Sequence, residues 1–254
     1  MNKRIYGAIA LSLGLSFSSC SDWLDINENP DAKPYVTPEQ SLPVLVFYAS
    51  QINYDHAEYG VYLSQALTTG GKSQTGSTAY KSGWEFLTMN RHPHWRRHFY
   101  DIGVNGNSLI EAAGKFKSPN FTLIARTIQL MSMQLTTDAF GDMPRSEAYT
   151  GKTPKYDTQE SIYQWMLQEA DALIADYDNP DIIDNPSNKS ITKKRDRIYG
   201  GDLKKWKQFT IALKARILLR KLPNWDNNPN ACDQIINTVN LALENWTEPD
   251  YNYD

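Results

Sequence analysis

The sequence predicts an all-α protein, mostly helical with irregular loops, and three observations predict it. Apolar residues recur at steps of three and four along most of the chain. The strict apolar–polar alternation of half-buried strands is scarce. Helix-start and helix-stop residues flank the periodic segments in the right order.

Thr37-Pro38-Glu39-Gln40 combines a cap, a first-turn proline and an acid, which is a good helix start. This helix is expected to run to about Ile52, with a second over His56 to Leu67 stopped by Gly70-Gly71. Residues 70–83 are rich in Gly, Ser and Thr and read as a loop. A third helix is expected from near His94 to Ala113. Ile124, Ile128, Met131 and Leu135 form one stripe of a fourth. It stops at Phe140-Gly141-Asp142-Met143-Pro144, read as a structural turn. There Gly141 permits positive φ, Pro144 forbids continuation, and Asp138 and Asp142 accept backbone N–H bonds.

Asp157 and Glu160 are placed as cap and third residue of the next helix, which buries Ile162, Met166, Ala170, Leu173 and Tyr177. Residues 178–200 are polar and break the pattern. Asp202 caps a further helix with Leu203, Trp206, Thr210, Leu213 and Ile217 inward, ended by Pro223. Asn228-Pro229 starts the last, expected to turn Cys232, Ile236, Val239 and Leu243 inward. No helix can bury its stripe alone, so consecutive helix pairs must stack on one another. Residues 246–254 read as the start of a loop, as if the chain were cut short there.

Composition narrows the function classes. The chain is 41% hydrophobic and 22% charged, which is globular, neither disordered nor fibrous. Lys3 and Arg4 precede a short apolar run, Ile5 to Phe17, that is too short to span a bilayer and fits a signal peptide over residues 1–19. Phe17-Ser18-Ser19-Cys20 resembles a lipobox, with Phe17 where Leu is usual, so Cys20 is the expected lipid attachment site. Losing Lys3 and Arg4 takes the net charge from −3 to −5, which gives no electrostatic reason to bind nucleic acid. With Cys20 acylated, Cys232 alone cannot build a disulfide framework. Residues 20–37 read as an extended leader, and residues 38–254 as the helical body. The acidic start Ser21-Asp22 and Asp25 resembles a signal that sends some Gram-negative lipoproteins to the cell surface.

Several motifs together carry a family resemblance. Asp138-Ala139-Phe140-Gly141-Asp142-Met143-Pro144, Ser146-Glu147-Ala148 and Pro154-Lys155-Tyr156-Asp157 are one group. The run from Ile198-Tyr199-Gly200-Gly201-Asp202 to Phe209, then Leu213 to Arg220, is the other. With the cysteine-and-acid start, they resemble the SusD/RagB nutrient-binding outer-membrane lipoproteins. The resemblance implies tetratricopeptide-like stacked helix pairs with irregular loops carrying the ligand site. It implies a partner, a SusC-like TonB-dependent outer-membrane transporter, and an oligosaccharide or peptide ligand. It implies binding rather than catalysis, with no cofactor. Members run to about twice this length, so the chain reads as an amino-terminal portion.

Candidate sites are weighed against structural roles. Tyr80 and Trp84, with Gln74, are the preferred ligand contacts, because aromatics in a small-residue loop have little core to fill. Asn105 and Asn107 are weaker candidates. His94 and His98 have the i, i+4 spacing of metal ligands, but no carboxylate completes a set, so a solvated basic helix start is expected. Trp206 and Phe209 are assigned to the core, and Arg216 and Arg220 to pairing with a neighbouring helix. No nucleophile elbow, phosphate loop or zinc signature is present, and Asp138 and Asp142 are turn residues rather than a catalytic pair.

Overall fold

The computed structural model describes residues 36–66, 93–221 and 229–244. The expected signal peptide, Cys20, nearly all of the leader, and Gln74, Tyr80 and Trp84 lie outside them. The helices, in order, are α1 (Pro38–Leu63), α2 (Pro93–Arg96), a π-helical stretch (Arg97–Val104), α3 (Asn105–Lys115), α4 (Asn120–Phe140), α5 (Gln159–Asp176), α6 (Pro180–Ile183), α7 (Leu203–Lys221) and α8 (Pro229–Leu243). Among the described residues there is no strand, only an isolated antiparallel bridge between Met143 and Asp157. No helix among them is long and apolar enough to cross a membrane.

The two helices expected over 37–67 are one, α1, because nothing between Ile52 and His56 breaks the turn pattern. Its start carries the Gln40 half of a capping box: the Gln40 side chain accepts from the Thr37 backbone N–H at 3.1 Å. Residues 93–115 are a continuous rod whose middle turns are π-wound. The Asn105 side chain donates to the Asp101 carbonyl at 2.7 Å, at the end of the wide turns.

Helix α4 is the hub. It packs against α1, the π-helical stretch, α3, α5 and α7. The single stripe read from Ile124 to Leu135 is therefore incomplete: Phe121 extends it by a turn, and Leu123, Ala125 and Leu130 are buried on other faces. So are Thr127, Ser132, Gln134, Thr136 and Thr137. Buried hydroxyls need partners. Thr127 meets both the Tyr177 hydroxyl (3.0 Å) and Thr210 (3.1 Å), joining α4, α5 and α7. On the wetter side of α4, Arg126 bridges to Glu169 at 2.7 Å and Asp176 at 2.5 Å of α5.

The expected inward residues of α5 are all buried. Its cap is Thr158, one residue later than expected, whose Oγ1 accepts from Ser161 N. Asp157 is displaced from that role because its backbone forms the bridge to Met143. Asp202 does cap α7, accepting from Lys204 N (2.9 Å) and Lys205 N (3.2 Å). Helix α8 departs from expectation: Ala242 is buried, while Ile236 and Leu243 are more than half exposed. It packs on α7, and its face turns on small Ala242 rather than on the larger apolar side chains.

Candidate functional site: an exposed aromatic surface

The turn after α4 sets one edge of the site. Gly141 has φ +77° and ψ −126°, a conformation that only glycine adopts without strain. Its N–H donates to Thr137 O at 2.8 Å, closing the helix. Asp142 accepts from Gln159 N at 2.8 Å, which ties the turn to the start of α5. Asp138 serves otherwise than expected. It takes the Tyr163 hydroxyl proton bond and a 3.4 Å bond from Gln134 Nε2, and faces Arg220 at 3.6 Å. Burial and this carboxylate push the Tyr163 hydroxyl well above its usual range. Both acids are thus engaged by the scaffold, and Arg220 finds the neighbouring-helix acid expected of it.

Residues 141–158 form a closed loop. The Met143–Asp157 bridge pinches its neck, with N–H donors 3.2 and 3.1 Å from the opposing carbonyls. The Asp157 carboxylate accepts from Arg145 N, Ser146 N and Ser146 Oγ, each at 2.8 Å. Partial burial opposes its charge, but the bonds from Ser146 and Arg145 win and hold it below the usual carboxylate value. Glu147 then accepts from Lys155 N at 3.1 Å, fastening the far end.

This loop carries its aromatics onto the π-helical stretch. Tyr149, at φ +65°, directs its hydroxyl to Gly103, where any Cβ would lie 1.7 Å from that oxygen. Gly103 is thus a notch in the rod that only an absent side chain can provide. Burial of that end pushes the Tyr149 hydroxyl up to about 12, although about half of the residue is exposed. The Tyr149 ring lies 6.4 Å from Phe99, and Phe99 lies 4.7 Å from Trp95. Trp95 in turn meets Phe140 edge-on at 5.3 Å. Tyr156, 65% exposed, lies within 21° of parallel to Trp95 at 6.4 Å. Rings from three elements therefore share one surface, with Lys155 exposed on the same loop.

Beneath it, the expected solvated basic helix start holds among the described residues only for Arg96, whose side chain is exposed. His94 and His98 are almost wholly enclosed, because the rod lies against polar positions of α4. Thr136 donates to Ser132 O at 2.7 Å, so it must accept from His94 Nε2 at 3.1 Å. His98 Nδ1 meets Ser132 Oγ at 2.8 Å. Burial, followed by the neighbouring His94, lowers the His98 imidazole to about 3. Arg97 is not solvated either; it pairs with Asp55 and Asp101, both at 3.0 Å. Among the described residues no cluster of acids, histidines and cysteines could hold a metal ion.

Asn105 donates to the Asp101 carbonyl, and Asn107, which is exposed, accepts from Gln129 Nε2 at 3.0 Å. Trp206 is buried as expected, and Phe209 half-buried. The rings that do form a surface were missed in the sequence. Tyr149 and Tyr156 stand among Pro, Gly, Thr and Lys, the context that singled out Tyr80 and Trp84.

Fold and surface together define a class: a helix-pair scaffold that presents rings to solvent. Residues 41–248 match the profile of the SusD-like proteins described as starch-binding and associating with the outer membrane, and the chain belongs to that family. It is similar to the solved structure of a SusD/RagB family protein from Bacteroides thetaiotaomicron, at 22% identity and a TM-score of 0.59, over 80% of this chain and 43% of that one. A solved chitin-binding protein is similar at 23% identity and a TM-score of 0.55, over 82% and 43%. A Bacteroidetes SusD-like protein is similar at 23% and 0.59, over 82% and 37%. The chain thus spans about two-fifths of the length of these solved relatives. No curated protein sequence matches it.

Proposed function

We propose that this protein is a lipid-anchored, outward-facing outer-membrane protein that binds a glycan and passes it to a TonB-dependent transporter of the SusC type. The observation that carries the glycan reading is the pairing of exposed Tyr156 with half-buried Trp95, flanked by Phe140, Phe99 and Tyr149. Sugar rings present apolar C–H faces that stack on such rings while their hydroxyls stay in water. The pinched loop holds the rings before ligand arrives, which lowers the ordering cost of binding. The family description and the chitin-binding relative support the same ligand class.

Calorimetry with starch-derived and chitin-derived oligosaccharides tests this. Tyr156→Ala removes an exposed ring and should weaken the bound glycan by about 3- to 10-fold, the worth of one aromatic stacking contact. Unchanged affinity for every glycan that binds would remove this surface from the site. A second reading, a docking subunit without its own ligand site, is favoured by the outer face of α1, where Phe47 and Tyr54 are 55% and 61% exposed. Retention of a barrel partner without heat from any glycan or peptide would select it. For the anchor, Cys20→Ala should move the protein from the membrane to the soluble fraction; a variant that still sediments with membranes is not held by that residue.

A further inference from the structure

A second concavity, sharing no residue with the aromatic surface, opens between α1, α4, α7 and the segment before α7. Its volume is about 340 Å³, at the small end of ligand sites and enough for a single-ring compound. One wall is an aromatic set around Trp206, which Tyr199 meets edge-on at 5.1 Å and 88° and Phe209 at 6.0 Å and 88°, with Tyr199 and Phe209 tilted to each other at 6.3 Å and 54°. Met131 lies among the other lining residues, and its soft sulfur suits an aromatic guest.

The polar groups around this cleft are unequal. Asn53 spends its amide donors on Ala49 O (2.8 Å) and Met131 Sδ (3.2 Å). Trp206 spends its N–H on Asp196 at 2.8 Å. Ser50 donates to Phe47 O at 2.7 Å. Arg216 at the rim differs. The nearby Asp138 is already engaged with Arg220, and among the described residues no carboxylate lies within ion-pair distance of Arg216. Its charge is felt nearby: after burial, Arg216 is the largest influence lowering the His56 imidazole, ahead of the opposing Asp138.

We propose that this cleft binds a small aryl carboxylate, with its ring against Tyr199 and Phe209 and its carboxylate on Arg216. A sugar fits poorly, since most of the lining is apolar and, Arg216 apart, the donors of Ser50, Asn53 and Trp206 are already spent. The inference does not rest on the glycan reading.

The test is an NMR titration of the full chain with 3-phenylpropionate, its uncharged amide 3-phenylpropionamide, and glucuronate. The acid should bind, and the amide about 3- to 10-fold more weakly, as a solvent-accessible guanidinium–carboxylate pair provides. Arg216→Gln should bring the acid down to the level of the amide and leave the amide unchanged. Tyr156→Ala should leave acid binding as it was. Equal binding of acid and amide, binding of glucuronate alone, or binding of none of the three would overturn the proposal. Because the acid–amide comparison uses the unaltered protein, it decides the matter even if the variant fails to fold.

Discussion

Replacing Asp196 with Ala should destabilise the protein by about 4 kcal/mol, near 1 kcal/mol for each buried or half-buried donor left without its acceptor. The carboxylate is fully enclosed and accepts four bonds. They come from Ile198 N (2.9 Å), Tyr199 N (3.2 Å), Gly201 N (2.8 Å) and the Trp206 indole N–H (2.8 Å). One side chain thus folds the segment before α7 and fixes the largest ring of the core. Asp202, six residues on, also accepts two backbone bonds, but it is an exposed cap. Asp202→Ala should therefore cost only about 1 kcal/mol. Urea denaturation of both variants checks the contrast. Equal losses would mean that the enclosed carboxylate matters no more than an ordinary cap.

Stability should also fall by about 2 kcal/mol between pH 7 and pH 5, before most carboxylates titrate. His98 is held neutral in the folded state, with its imidazole lowered to about 3, whereas the unfolded chain titrates near the ordinary 6.5. Folding therefore favours the neutral ring. That contribution is complete above about pH 6.5, shrinks as the unfolded chain takes up a proton, and is gone near pH 3. In the window above pH 5 the loss depends almost wholly on the unfolded value. His56, also lowered by burial and by Arg216, acts in the same direction. Urea midpoints at pH 7 and pH 5 measure the slope, and His98→Asn, which retains a polar partner for Ser132, should flatten most of it. A His98→Asn protein with the full slope would place the titrating group elsewhere.

These two residues also show what was legible in the sequence and what was not. The helices were legible because apolar spacing, Pro and Gly act locally: Thr37-Pro38, Gly141 and Asp202 mark helix ends where expected. The fate of polar residues is decided at a distance. Asp196 sits in a polar stretch that reads as loop, and nothing local separates it from Asp184. His98 reads as solvated among three arginines until α4 offers Ser132 across 34 positions. The aromatic surface was hidden for a related reason. Trp95, Phe140 and Tyr156 are far apart in sequence: the first two meet because the rod packs on α4, and Tyr156 joins them on the loop that the Met143–Asp157 bridge closes. Helix α8 was misread because periodicity shows which face is apolar, not whether a neighbour covers it.

The position of α4 bears on how the molecule comes apart. In an array where each hairpin leans only on the next, units can peel away from an end one at a time. Here a single rod is the shared wall of α1, α3, α5 and α7, so unfolding of that rod uncovers all four of them at once. Their melting is tied into one event, and α8, resting on the outside of α7, is the element free to detach first.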